Sequence, residues 1–272
     1  MTTWTPHHLL AHLMLPPPGY RPPPGHIDVW TLHADPDTDS RSQHLQALLD
    51  GDARRRANGF LRTDRRDTYT LAQVALRLVL ARCFSTTPQS VDLLPAPCPS
   101  CKGPHGRPML REGNVHFSLT QARTTVMIAL AHSPVGIQLD TTDRAGPALL
   151  LRLPPKEKET VRRLPPGQRP QALLEYWVRN EAHLKGRGDG ITPSSCQRMT
   201  TGRGSAYTPQ NVTLAGWKLT SVAAPPGHVA AAALHAGIHR PCAGTAVAYH
   251  GCDQCERPAA AAAPEATLLT GH

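Results

Sequence analysis

Aromatic side chains are scarce in this chain, at 4% of its residues. No apolar stretch approaches the roughly 18–20 residues that a helix needs to cross a bilayer. The first shortage works against a base-stacking surface for nucleic acid, and the second argues against a membrane partner. The short run LLAHLML (Leu9–Leu15) has no basic segment before it and runs into PPPGYRPPPG, a poor signal peptide, so a cytoplasmic protein is expected. Acidic residues are also in deficit, 20 against 29 lysines and arginines, for a net charge of +9. That balance favours an anionic partner: a nucleic acid, a polyphosphate ligand or an acidic protein. The cysteines number 7, and an odd count without a signal peptide argues against a disulfide framework. CPSC (Cys98–Cys101) and CDQC (Cys252–Cys255) could together offer four thiolates to zinc, but they lie much farther apart than the pairs of a zinc ribbon. Reduced cysteines in loops are the plainer reading.

What the chain has in plenty is proline and glycine, 28 and 21 residues, so an ordered centre with loose ends is expected. Residues 1–25 form a Pro-rich lead, and 241–272 a low-complexity tail ending in RPAAAAAPEATLLTGH. Between them lie two βα-rich halves, 26–130 and 131–240. HIDVWTLHAD (His26–Asp35) alternates as a strand, and Gln43–Phe84 reads as helical in two parts. VHFSLT (Val115–Thr120) is a strand with Val115, Phe117 and Leu119 inward and His116, Ser118 and Thr120 outward. VMIALA (Val126–Ala131) and VGIQLD (Val135–Asp140) read as a hairpin turning at His132-Ser133-Pro134. Residues 145–170 are broken by proline and partly helical. Leu173–Lys185 is the clearest helix, closed by the glycines of RGDG, and Trp217–Leu234 reads as a final hairpin.

Two anomalies point to chemistry. In VGIQLD, alternation puts Gly136, Gln138 and Asp140 on one face, so a carboxylate sits beside a glutamine in a strand that looks buried. It either caps the strand or helps to hold a hard cation or a phosphate. In the Leu173–Lys185 helix, the stripe Leu174, Trp177 and Val178 continues at Glu181 and Lys185. An inward glutamate is costly unless neutralised. Lys185, one turn on, can neutralise it, or Glu181 can meet Asp140 across a cleft around a cation. Mg²⁺ suits such a site, since it needs one or two carboxylates besides water and phosphate oxygens.

At this point the sequence resembles the Sfp-type 4′-phosphopantetheinyl transferases, over roughly residues 26–235. Gly136-Ile137-Gln138-Leu139-Asp140 is similar to that family's G-[IV]-D-x-E strand, and Trp177–Lys185 to its W-x-x-K-E-A-x-x-K helix. Arg107-Pro108 resembles the basic-Pro motif, and Phe117–Gln121 the F-S-x-S-H motif. DRRDTYTLAQVALRLVL resembles the Arg-bearing helix of the first half. The resemblance implies an α+β fold of two similar halves related by pseudo-two-fold symmetry, with coenzyme A between them. It implies Mg²⁺-dependent transfer of 4′-phosphopantetheine from coenzyme A to a serine of an apo acyl or peptidyl carrier protein, of the kind used in fatty-acid, polyketide or other secondary metabolism. On this reading Asp140, Glu181 and Gln138 are the metal ligands, and Glu181 and Lys185 the catalytic pair. Arg107, Pro108, Thr120, Gln121, Arg66 and Arg77 would contact coenzyme A, Arg107 and Thr120 at its 3′-phosphate.

Four positions depart from the family pattern. Gln138 stands for an aspartate, Asp140 for the usual glutamate, Gln121 for a histidine and Asn180 for a lysine. A glutamine carbonyl can ligate Mg²⁺ but brings no charge, and hard-cation affinity follows the charge of the ligand set. The alternative is a transferase-like protein that binds coenzyme A or a carrier without turnover. A third reading, a basic nucleic-acid-binding protein with a zinc site, rests on the net charge and the paired CxxC motifs and lacks a reading motif.

Overall fold

Thr125–Ala131 (β5) is the strand around which the first half is laid, because both of its edges are hydrogen-bonded. The structure is a computed structural model and describes residues 14–33, 45–99, 102–104, 106–111, 115–189, 212–236 and 246–250. β5 lies antiparallel between His26–His33 (β1) and His116–Ala122 (β4), and β1 pairs in parallel with Ala246–His250. The helices Gly51–Asn58 (α1) and Thr63–Phe84 (α2) belong to this half. Leu76, Val79 and Leu80 of α2 pack with Trp30, Ile128 and Leu130 in one core cluster. Leu93–Pro95 (β2) and Pro108–Leu110 (β3) form a separate two-stranded ribbon. Part of the Pro-rich lead is fastened to the same unit: the Trp30 indole donates to Met14 O, and the Arg82 guanidinium to Pro16 O. Residues 246–250, within the segment read as a tail, form the strand beside β1, and the rest of that segment lies outside the described residues.

The second half begins at Val135–Thr141 (β6). The expected hairpin between Val126–Ala131 and Val135–Asp140 does not form. With both edges of β5 taken, β6 has no free partner there. It passes at His132–Pro134 into a second sheet, where it pairs antiparallel with His228–His235. Pro147–Leu150 (α3), Pro155–Arg163 (α4) and Arg169–Arg187 (α5) follow, then Val212–Leu214 (β7), Trp217–Val222 (β8) and His228–His235 (β9). The order of the second sheet is β6-β9-β8-β7, and the β8–β9 hairpin is the one expected from the sequence. The architecture is α+β.

Helix α5 is placed by its caps and by two glycines. Pro170 sits in its first turn, and Gly188 ends it with φ +81°, its N–H bonding the carbonyls of Leu184 and Lys185. Gly136 of β6 lets the helix approach the strand: a Cβ there would fall 1.9 Å from Ala182 O and 2.5 Å from Gly186 N. Gly186 in turn admits the Trp217 ring, which a Cβ would meet at 2.5 Å. The same face of β6 carries Gln138 and Asp140, so this close approach decides how near Glu181 and Lys185 come to them.

The two sheets meet along the unpaired edges of β4 and β6. Ser118 and Thr120, read from the sequence as outward, are buried, because β6 covers that edge. The Ser118 hydroxyl accepts from Ile137 N at 3.1 Å and the Thr120 hydroxyl from Leu139 N at 3.2 Å. Side-chain oxygens thus satisfy edge amides that a buried seam would leave unpaired.

Gly136→Ala is therefore expected to lower stability by about 3 kcal/mol or more, since backbone on both sides leaves the new methyl no room. Gly167→Ala, with no heavy atom within 4 Å of the added Cβ, serves as the neutral control. Chemical denaturation of both variants measures the difference, and a stable Gly136→Ala protein would contradict this packing.

Candidate active site

A buried ammonium lies on the seam. Lys185 reaches from α5 to donate to Leu119 O of β4 and Ile137 O of β6, each at 3.2 Å. These are edge carbonyls of the two different sheets, both turned into the seam. A lysine has three N–H donors, so one remains beyond these two bonds. Burial pulls the Lys185 pKa down to about 8, against the opposing influence of Glu181 and Asp140.

Glu181, one turn earlier, is buried, and among the described residues its carboxylate makes no hydrogen bond. Burial, with Asp140 adding to it, pushes its pKa up to about 7, although Lys185, Arg144 and Arg152 pull the other way. Asp140 is held quite differently. Its Oδ2 accepts from the Arg144 guanidinium at 3.0 Å and the Trp177 indole at 3.2 Å, and its Oδ1 from Thr141 N at 2.9 Å. Gln138 accepts from the Thr120 hydroxyl at 3.1 Å through Oε1.

Glu181, Lys185 and Gln138 open on a cavity of about 640 Å³ together with Thr120, Gln121, Pro108 and Arg77. A second chamber of about 370 Å³ adjoins it, with Lys185, Pro108, Gly106, Leu93, Gln73 and Leu119 common to both. Arg107 lines this second chamber, beside Leu76 and Phe117. Its guanidinium lies 3.4 Å from His116 Nδ1, and burial lowers its pKa. Burial, with Arg107 beside it, brings the His116 pKa down to about 4, so that ring is neutral at physiological pH.

Most of the residues singled out in the sequence come together here, with exceptions. Asp140 lines neither chamber, its carboxylate being held by Arg144, Trp177 and Thr141 N. Arg66 lines neither chamber and lies half-exposed near Asp67. Thr120 faces the first chamber and not the Arg107 chamber, and its hydroxyl is already bonded to Gln138 and to Leu139 N. Arg77 is on the wall but buried, paired with Asp50 and bonded to Gln73 Oε1 at 3.0 Å. Asn180, which departs from the expected lysine, donates to the buried Glu157 of α4 at 2.7 Å and so links two helices. Sequence reasoning missed Arg56, Tyr69 and Asp50, which line the first chamber. The run Arg54-Arg55-Arg56 was the available signal, but only the fold tells which of the three faces inward.

Among the described residues, no three His, Cys, Asp or Glu side chains gather as a metal cluster. The donor set nevertheless fits a hard cation that takes few protein ligands. Glu181 has a buried carboxylate without a hydrogen-bond donor, Asp140 is near enough to raise its pKa, and Gln138 adds a neutral oxygen on the same strand face. Cys98 is buried, whereas Cys101, Cys252 and Cys255 lie outside the described residues. No described helix is long and apolar enough to cross a membrane.

An α+β protein with a charged pair at the seam of two sheets, facing a long cleft, is the class that this geometry defines. Scanned against models of known protein families, the chain matches none. It is 29% identical over 193 residues to the 4′-phosphopantetheinyl transferase HetI of Nostoc sp., covering 67% of this chain and 78% of that protein. The chain is thus a relative of the 4′-phosphopantetheinyl transferases.

The Glu181 pKa carries a signed prediction. Raised from 4.5 to about 7, it keeps the folded protein protonated where the unfolded chain has already lost the proton. Its contribution to stability is greatest below about pH 4.5 and is lost as pH rises towards 7. The parent is expected to lose stability relative to Glu181→Gln across that interval and to run parallel to it below. Denaturation at a series of pH values checks this, and a constant difference throughout would contradict it.

Proposed function

We propose that this protein transfers the 4′-phosphopantetheine group of coenzyme A to a serine hydroxyl of an apo acyl or peptidyl carrier protein. The relationship to HetI supports the transferase class. The observation that carries the reading is the pair Glu181, buried, and Lys185, partly buried one turn on, both facing one long cleft. In this reading the first chamber takes the pyrophosphate and the adjoining one the nucleotide end, with Arg107 at its 3′-phosphate. The serine oxygen bonds to the β-phosphorus, the bond to the bridging oxygen breaks, and 3′,5′-ADP leaves.

Glu181 is the group suited to take the serine proton. Its carboxylate faces the cleft and makes no hydrogen bond among the described residues, which leaves lone pairs open to the proton, directly or through a water. Lys185 holds its ammonium fixed by two carbonyls, and its third N–H is directed to the leaving phosphate. A charge fixed in advance costs little reorganisation as negative charge builds on the transferring group. Mg²⁺ would be held by Asp140, Glu181 and the Gln138 Oε1, and when bound it supplies positive charge to the pyrophosphate oxygens.

Pseudo-two-fold symmetry of the halves belongs to the same proposal, supported by a long helix and a four-stranded sheet on each side. So do division of the chain near residues 130–131 and a cytoplasmic location. Binding without turnover is not favoured, because both members of the catalytic pair face the cavity.

Purified protein given apo carrier, coenzyme A and Mg²⁺ is expected to add one phosphopantetheinyl group per carrier, read by intact mass. Glu181→Gln should cut the rate about 10²-fold or more. Arg107→Ala should raise KM for coenzyme A far more than for 3′-dephospho-coenzyme A. An unmodified carrier overturns the function, and equal KM effects overturn the 3′-phosphate role.

A further inference from the structure

Asp140 is one of the proposed cation ligands, yet it already has a cationic partner. Arg144, four residues on in the short turn after β6, donates to its Oδ2 at 3.0 Å. The two ends of this pair differ sharply: the Asp140 side chain is 3% exposed and that of Arg144 53%. A buried carboxylate cannot leave, whereas a half-solvated guanidinium can swing into water at small cost. The Trp177 indole supports the same oxygen at 3.2 Å and Thr141 N the other at 2.9 Å, so Asp140 remains oriented without Arg144. The neighbouring Arg123 is not free to replace it, being paired with Asp143.

We infer that Arg144 is a built-in counter-ion that occupies the Asp140 carboxylate until a divalent cation displaces it. The inference rests on the proposed cation site. It also gives a physical sense to Gln138: with one ligand neutral, Arg144 is the cation hydrogen-bonded to Asp140 when no metal is bound, and it competes directly with the metal. The guanidinium end of the pair is half-solvated, so the competition is mild and reversible. Arg144 acts through Asp140 and is a positioning residue, not a catalytic one.

The test is Mn²⁺ binding to the purified protein, measured by calorimetry without coenzyme A or carrier. Removing the competitor in Arg144→Ala should tighten Mn²⁺ binding about fivefold, since about 1 kcal/mol corresponds to that factor. Arg144→Gln, which keeps a donor but not the charge, should tighten it similarly, and Asp140→Asn should abolish binding. If Asp140→Asn abolishes binding but both Arg144 variants bind no tighter than the parent, the counter-ion role is overturned and the cation site stands. Binding that appears only in the Arg144 variants supports the role in its strongest form. If neither the parent nor the Arg144 variants bind Mn²⁺ through Asp140, the site and the inference fall together.

Discussion

Two backbone carbonyls, Leu119 O and Ile137 O, face one buried seam from the edges of different sheets, and the Lys185 ammonium lies between them. Each carbonyl left without a donor would cost about 1–3 kcal/mol, and the two oxygens would repel one another. A single cation on α5 removes both penalties and joins the halves at the floor of the cleft. The rest of the site follows from where that cation must be. Gly136 brings the helix close enough for Lys185 to reach, and the helical repeat then sets Glu181 one turn away, inside the protein. Burial that makes Lys185 a strong tie also raises the Glu181 pKa to about 7. Structural joint and proposed reactive pair are the same few atoms.

The strand VGIQLD illustrates how one segment serves several demands. Its inner residues Val135, Ile137 and Leu139 fill a core with Ile27, Met127 and Ala129 of the first sheet. Its other face carries Gly136, Gln138 and Asp140 toward α5. Gln138 is not simply a lost charge, for its amide oxygen accepts from Thr120 and adds a bond across the seam. An aspartate there would be shorter by a methylene and would bring a second negative charge beside Asp140 and Glu181. In place of a charge, the strand gains a tie between the two sheets.

Much of this was legible in the sequence where local rules govern. Alternation located β1, β4 and β6, and the glycine after Arg187 marked the end of α5, because a left-handed cap is a local demand. The inward stripe through Leu174, Trp177, Val178, Glu181 and Lys185 brought Glu181 and Lys185 to one cavity, since helical spacing fixes which residues share a face. What was not legible depended on partners distant in the chain. The run from Val126 to Asp140 reads as a hairpin because nothing local reveals that β1 and β4 already hold both edges of β5. Ser118 and Thr120 read as outward for the same reason. Arg66 and Arg77 carry the same charge on one helix, but only Arg77 reaches the cleft, and Asp50 from outside that helix holds it there.

The central claim is that coenzyme A lies in the cleft over this seam. Hydrogen–deuterium exchange with and without coenzyme A tests it most directly. Slower exchange is predicted in the cleft walls, at residues 50–56, 93–95, 106–110 and 119–121, with little change in β7 and β8 on the far side of the second sheet. Protection confined to other surfaces, or none at saturating coenzyme A, would contradict the account.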